Sequence, residues 1–130
     1  MYKILAVDDE IEILKVIDEF LTQAGFMVKI AQDAEAGLEI LAKEKPDLLI
    51  LDMRMPGIGG EGLLRELSRK KIDIPAIILT GYARTDAGLG FVKKDSLKIL
   101  VKPVNLSILL ETVNECLRGK RDGQTKDPDC

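Results

Sequence analysis

Four short, largely apolar runs in this 130-residue chain each close on a polar residue, and the residues that close them limit what the chain can fold into. The run at 2–7 closes on Asp8 and Asp9, and that at 48–51 on Asp52. The run at 76–79 closes on Thr80, and that at 99–101 on Lys102 and Pro103. Runs of this length, alternating with segments of helical period, read as strands of a parallel sheet buried on both faces. In an open α/β sheet the ligand crevice lies outside the carboxyl ends of the strands. One site holding three carboxylates, a hydroxyl and an ammonium is therefore expected.

The spacing of apolar residues sets the other elements. Residues 2–8 read as the first strand. Over 10–24, Ile13, Leu14, Ile17, Phe20, Leu21 and Ala24 recur at three and four residues, an amphipathic helix that Gly25 is placed to end. Residues 26–30 alternate apolar and polar after the first pair and form a short second strand. Asp33 can cap a helix whose inner face is Ala34, Leu38, Leu41 and Ala42. Pro46 separates that helix from a third strand at 47–52. Pro56, Gly57, Gly59 and Gly60 make 54–60 a loop, and Leu63, Leu64 and Leu67 mark the third helix. Pro75 leads into strand four at 76–80. Residues 84–95 predict a marginal fourth helix, because Gly88 and Gly90 each cost about 1 kcal/mol against Ala. Residues 98–102 are strand five. Leu106, Leu109, Leu110, Val113, Cys116 and Leu117 stripe the fifth helix. The polar stretch 119–130, with Gly119, Gly123 and Pro128, reads as a disordered tail after one domain over 1–118. The alternation βαβαβαβαβα with right-handed crossovers predicts a doubly wound, five-stranded parallel sheet with five helices on its two faces. Periodicity does not give the strand order.

Composition removes several function classes. Only 4% of residues are aromatic, so the core must be aliphatic. A net charge of −3 gives no basic footprint for nucleic acid. No apolar run nears the roughly 18 residues of a membrane span, and nothing resembles a signal peptide. With Cys116 and Cys130 the only cysteines, a reduced cytoplasmic protein is expected. Histidine is absent, which excludes an internal histidine base, nucleophile or metal ligand.

Asp8, Asp9 and Asp52 are hard oxygen ligands, suited to Mg²⁺ or Mn²⁺ rather than zinc. Without a cation, clustered carboxylates repel and at least one pKa rises. One of them can instead be a nucleophile that forms an acyl phosphate. Thr80 offers a hydroxyl to a phosphoryl oxygen, and Lys102 offers a point positive charge. Together these groups suit phosphoryl transfer.

The stretches AVDDE (6–10), LLILDMRMPGIGG (48–60), IILTGYA (77–83) and LVKP (100–103) resemble the receiver domain of two-component response regulators, over about residues 3–118. The resemblance implies a flavodoxin-like strand order 2-1-3-4-5. It implies Asp52 as phosphoacceptor, and Asp8, Asp9, Asp52 and the backbone carbonyl of Arg54 around Mg²⁺. Thr80 would be the switch hydroxyl and Lys102 the phosphate-binding lysine, with a cis Lys102–Pro103 bond. The partners implied are a sensor histidine kinase or phosphotransfer protein, and either a downstream protein target or an output domain not present in the chain. Homodimerisation through the fourth and fifth helices is left open. Such a domain catalyses only its own phosphorylation and dephosphorylation, so it is not expected to be an enzyme acting on other substrates.

Ile99 stands where the family pattern usually has an aromatic ring, and Val104 where it often has Phe. Order in 84–95 is expected to replace a ring flip in the switch around the fourth and fifth helices. Arg54 and Tyr82 would overhang the phosphoryl group and influence its lifetime. A degenerate receiver that binds without phosphorylation is one alternative. A small Mg²⁺-dependent phosphohydrolase is another, disfavoured because strand one carries adjacent aspartates rather than a DxD pattern. A nucleotide or flavin carrier would need donors where Asp8, Asp9 and Glu10 put negative charge.

Overall fold

The computed structural model describes residues 1–81 and 97–122, and side chains as far as 118. In chain order the elements are β1 (Lys3–Val7), α1 (Ile11–Gln23), β2 (Met27–Ala31), α2 (Ala34–Lys43), β3 (Leu48–Asp52), α3 (Gly59–Arg69), β4 (Ala76–Thr80), β5 (Leu97–Val101) and α4 (Leu106–Asp122). The five strands form one parallel sheet in the order β2-β1-β3-β4-β5, as the resemblance implied. The segment 84–95 and the stretch 123–130 lie outside the described residues, so α4 is the helix predicted as the fifth. It runs to Asp122, four residues into the stretch expected to be a disordered tail.

Side chains alternate across a strand, so each apolar run feeds two cores. Leu5, Val7, Leu49, Leu51, Ala76 and Ile78 face α2 and α3, meeting Ala34, Leu41, Leu63, Leu64 and Leu67. Ile4, Ala6, Leu48, Ile50, Ile77 and Leu79 face α1 and α4, meeting Leu14, Ile17, Leu21, Leu109, Val113 and Cys116. Each fully buried Leu or Ile contributes about 1.5–3 kcal/mol, and no aromatic ring is among the fully buried residues described.

The helix ends follow local rules with one informative exception. Gly25, at φ +103, ends α1; its N–H donates to the Thr22 carbonyl and that of Phe26 to the Leu21 carbonyl. The same pair of bonds ends α3, from Lys71 to Ser68 and from Ile72 to Leu67, but there a lysine holds φ +59. Asp33 caps α2 by accepting from the Ala36 N–H at 2.7 Å, and Asn105 caps α4 by accepting from Ile108 N–H at 3.0 Å.

Two predicted details change. The inner face of α2 is Ala34, Gly37 and Leu41; Ala42 is exposed and Leu38 only half-buried. A Cβ on Gly37 would stand 3.1 Å from Leu63 and 3.2 Å from Val7, so the glycine lets the helix lie close on this face, from which Ala42 is turned away. The loop predicted over 54–60 stops at Ile58, because α3 starts on Gly59 and Gly60. A Cβ on Gly60 would lie 2.5 Å from the Asp52 carbonyl oxygen and 2.9 Å from Met53 Cα. Close approach of α3 to the end of β3 therefore requires glycine there, against helix propensity.

Candidate functional site

Parallel register brings the predicted residues to one edge. Asp8 follows the last residue of β1, Asp52 is the last of β3, Thr80 the last of β4, and Lys102 follows the last of β5. The Lys102 N–H donates to the Thr80 carbonyl at 2.6 Å, which ties the two strand ends together. Lys102–Pro103 is cis. Asp8, Asp52 and Thr80 are all buried, at 1%, 4% and 2% exposure. Polar groups so buried are costly unless partnered.

Lys102 partners the carboxylates. Its Nζ lies 3.2 Å from Asp8 Oδ2, 3.3 Å from Asp52 Oδ1 and 3.2 Å from Glu10 Oε1. Asp52 Oδ1 also accepts from the Arg54 N–H at 3.3 Å, and Asp8 Oδ1 from the Glu10 N–H at 2.9 Å. Asp8 Oδ2 is fully buried and no hydrogen bond of good direction reaches it. Carboxylate oxygens of Asp8, Asp9 and Glu10 lie within 4.8 Å of one another.

The electrostatics follow from this crowding. Burial pushes the Asp52 carboxyl up to about 6, and the Asp8 charge adds to the rise; Lys102 and the Arg54 N–H act against it. Burial also raises Asp8, opposed by the Glu10 N–H and Lys102. Burial works against the Lys102 ammonium, but Asp8, Glu10 and Asp52 together lift it above its ordinary value. Buried carboxylates outnumber the cation, an imbalance that a divalent ion would relieve.

The model of the response regulator receiver domain matches residues 4–114. The chain belongs to this family. The receiver domain is 34% identical over 112 residues to the transcriptional regulatory protein FixJ of Rhizobium meliloti, covering 86% of this chain and 55% of that protein. It is 36% identical over 116 residues to the probable transcriptional regulator ycf27 of Cyanophora paradoxa, covering 89% of this chain and 48% of that one. The receiver domain thus spans about half the length of the curated relatives it matches. Among solved structures it resembles the response regulator TrrA of Thermotoga maritima in complex with Mg(2+)-BeF. There the TM-score is 0.78 at 34% identity, over 89% of this chain and 99% of that one.

Of the predicted residues, the receiver fold brings Asp8, Asp52 and Lys102 into direct contact, sets Thr80 beside Lys102, and puts Arg54 against Asp52 through its N–H. Asp9 is exposed and joins Asp8 and Glu10 rather than Lys102. Tyr82 lies outside the described residues. Glu10 was not among the predicted site residues. Its only signal was its place in the Asp8-Asp9-Glu10 run, because its partner is 92 residues away.

Proposed function

We propose that this receiver domain takes a phosphoryl group onto Asp52 from a phosphohistidine on a partner kinase or phosphotransfer protein. The observation that carries the reading is the contact of Asp52 with Lys102 at the carboxyl end of a parallel sheet, with Asp8 on the same ammonium. Both contacts of Asp52 among the described residues fall on Oδ1, so Oδ2 is the oxygen free to approach phosphorus. A new oxygen–phosphorus bond forms as the nitrogen–phosphorus bond of the donor breaks. The chain has no histidine, so that donor belongs to another protein or domain.

The residues fit Mg²⁺, given an all-oxygen donor set and the buried Asp8 Oδ2, which meets the Lys102 ammonium at 3.2 Å without a directed hydrogen bond. TrrA, solved with Mg(2+)-BeF, supports the same ion here. Asp8, Asp9, Asp52 and the Arg54 carbonyl would hold it, and Mn²⁺ has the same ligand preference. When bound, it supplies positive charge against the phosphoryl oxygens. Lys102 offsets charge on a further phosphoryl oxygen, and the Thr80 hydroxyl offers a donor to another. The chemistry is confined to the domain's own carboxylate, so it is a switch and not an enzyme with an external substrate.

An apolar groove of about 360 Å³ opens beside Lys102, lined by Ile13, Val16, Pro103, Val104 and Leu106. It suits a helix of the phosphodonor, which must bring its histidine to within bonding distance of Asp52. The output passes through the surface of β5 and α4 to a protein target or an attached output domain; the fourth helix predicted at 84–95 lies outside the described residues. A homodimer through that surface is compatible with the reading, and so is a cytoplasmic location. No helix among the described residues is long and apolar enough to cross a membrane.

The test is incubation with phosphoramidate and Mg²⁺, followed by intact mass. One phosphoryl adduct on the parent chain, and none on Asp52→Asn or in EDTA, is expected. Turnover of free phosphate esters in place of a stable adduct would support a phosphohydrolase instead.

A further inference from the structure

Glu10 occupies the N-cap position of α1, where Ser, Thr, Asp or Asn usually caps with a short side chain. Its backbone is extended, at φ −93° and ψ 102°, and its side chain makes no capping bond. The carboxylate reaches across the site and accepts a hydrogen bond from Lys102 Nζ at 3.2 Å. The ammonium has three donors and three carboxylate neighbours, Asp8, Glu10 and Asp52. Of the three, only the Glu10 contact has hydrogen-bond geometry, while those to Asp8 and Asp52 are ion pairs, so turning a directed N–H toward a phosphoryl oxygen means releasing Glu10. Asp8 is 1% exposed and would be left as a buried charge. The Glu10 side chain is 59% exposed, so water can replace the lysine there. Glu10 is therefore the partner that leaves most readily.

We propose that Glu10 is a positioning residue that parks Lys102 away from the phosphoryl-binding position while Asp52 is unmodified. Phosphorylation draws Lys102 off Glu10, so the Glu10–Lys102 pair opposes the reaction and slows it. This rests on Asp52 being the phosphoacceptor, and no covalent step is added to that chemistry. The Glu10 end of the pair is solvated, so its effect on rate is modest, about two- to fivefold.

The experiment measures the labelling rate with phosphoramidate at saturating Mg²⁺ for the parent chain, Glu10→Gln, Glu10→Ala and Glu12→Gln, at low and at about 1 M salt. Mg²⁺ half-saturation is measured separately, so that loss of a charge near the ion is read apart from the rate. Both Glu10 variants should label about two- to fivefold faster at low salt. The gain should shrink at high salt, which screens the parent's ion pair. Glu12→Gln removes the same charge from the first turn of α1 and should label at the parental rate. Glu10 variants that are unchanged or slower overturn the proposal. An equal gain in Glu12→Gln also overturns it, because general charge repulsion of the donor then accounts for the effect. Absence of labelling in every chain, the parent included, refutes the phosphoacceptor reading itself, and the proposal falls with it.

Discussion

Asp52→Asn should stabilise the cation-free protein, and the gain should depend on pH. The folded carboxyl holds its proton up to about 6, against 3.8 for a free aspartate side chain. The folded state therefore binds more protons than the unfolded chain between these limits. Stability from this group is full below pH 3.8 and is lost as pH rises through about 6. A shift of that size corresponds to about 3 kcal/mol at pH 8, taking roughly 1.4 kcal/mol per pKa unit. Asparagine has the same shape and no charge, so it escapes the penalty. Thermal unfolding in EDTA should show Asp52→Asn ahead of the parent by roughly 10 °C at pH 8, at about 3–5 °C per kcal/mol for a chain of this size. Near pH 4 the difference should nearly vanish. A variant less stable than its parent at pH 8, or a difference that ignores pH, would refute the electrostatic account of the site.

Other outcomes follow from the same geometry. Mg²⁺ should raise the melting temperature of the parent far more than that of Asp52→Asn, with about 1.4 kcal/mol gained at ~10 times the dissociation constant; equal shifts by calorimetry would place the ion elsewhere. Gly60→Ala forces a Cβ against backbone atoms of Asp52 and Met53, so urea denaturation should register a loss of about 1–3 kcal/mol, with slower phosphoramidate labelling. Lys71→Gly should add about 1 kcal/mol in the same assay, because the positive φ of the α3 terminus suits glycine. Val16→Asn puts an uncharged polar group in the groove beside Lys102; it should slow transfer from a phosphorylated kinase severalfold and leave labelling by phosphoramidate unchanged.

The convergence of the candidate residues was legible because they sit at strand ends. Apolar runs such as 48–51 and 76–79 are buried on both faces, so the residues closing them had to converge on one edge of the sheet. The strand order came from family resemblance, since period-2 alternation is blind to which strands are neighbours. Local signals failed where tertiary contact overrode them. Gly60 stands in the first turn of α3 because the helix end presses on the Asp52 backbone, Gly59 precedes it at φ +71°, and Gly37, not Ala42, faces the core because α2 lies close to Val7 and Leu63. Strand β2 starts one residue later than predicted, because the Phe26 N–H is taken by the end of α1 and the sheet begins at Met27. Glu10 escaped notice for a different reason: its role depends on where a lysine 92 residues away points, which no local pattern encodes. The predicted contribution of 84–95 to switching lies outside the described residues and stays an expectation.

The central claim is that Asp52 carries the phosphoryl group, and trapping the modified residue tests it most directly. The protein would be labelled with phosphoramidate and Mg²⁺, reduced with borohydride to convert the acyl phosphate to homoserine, and mapped by peptide mass spectrometry. Homoserine at position 52 and at no other aspartate is predicted. Homoserine at Asp8 or Asp9, or a phosphorylated parent chain with no reducible acyl phosphate, would contradict the account.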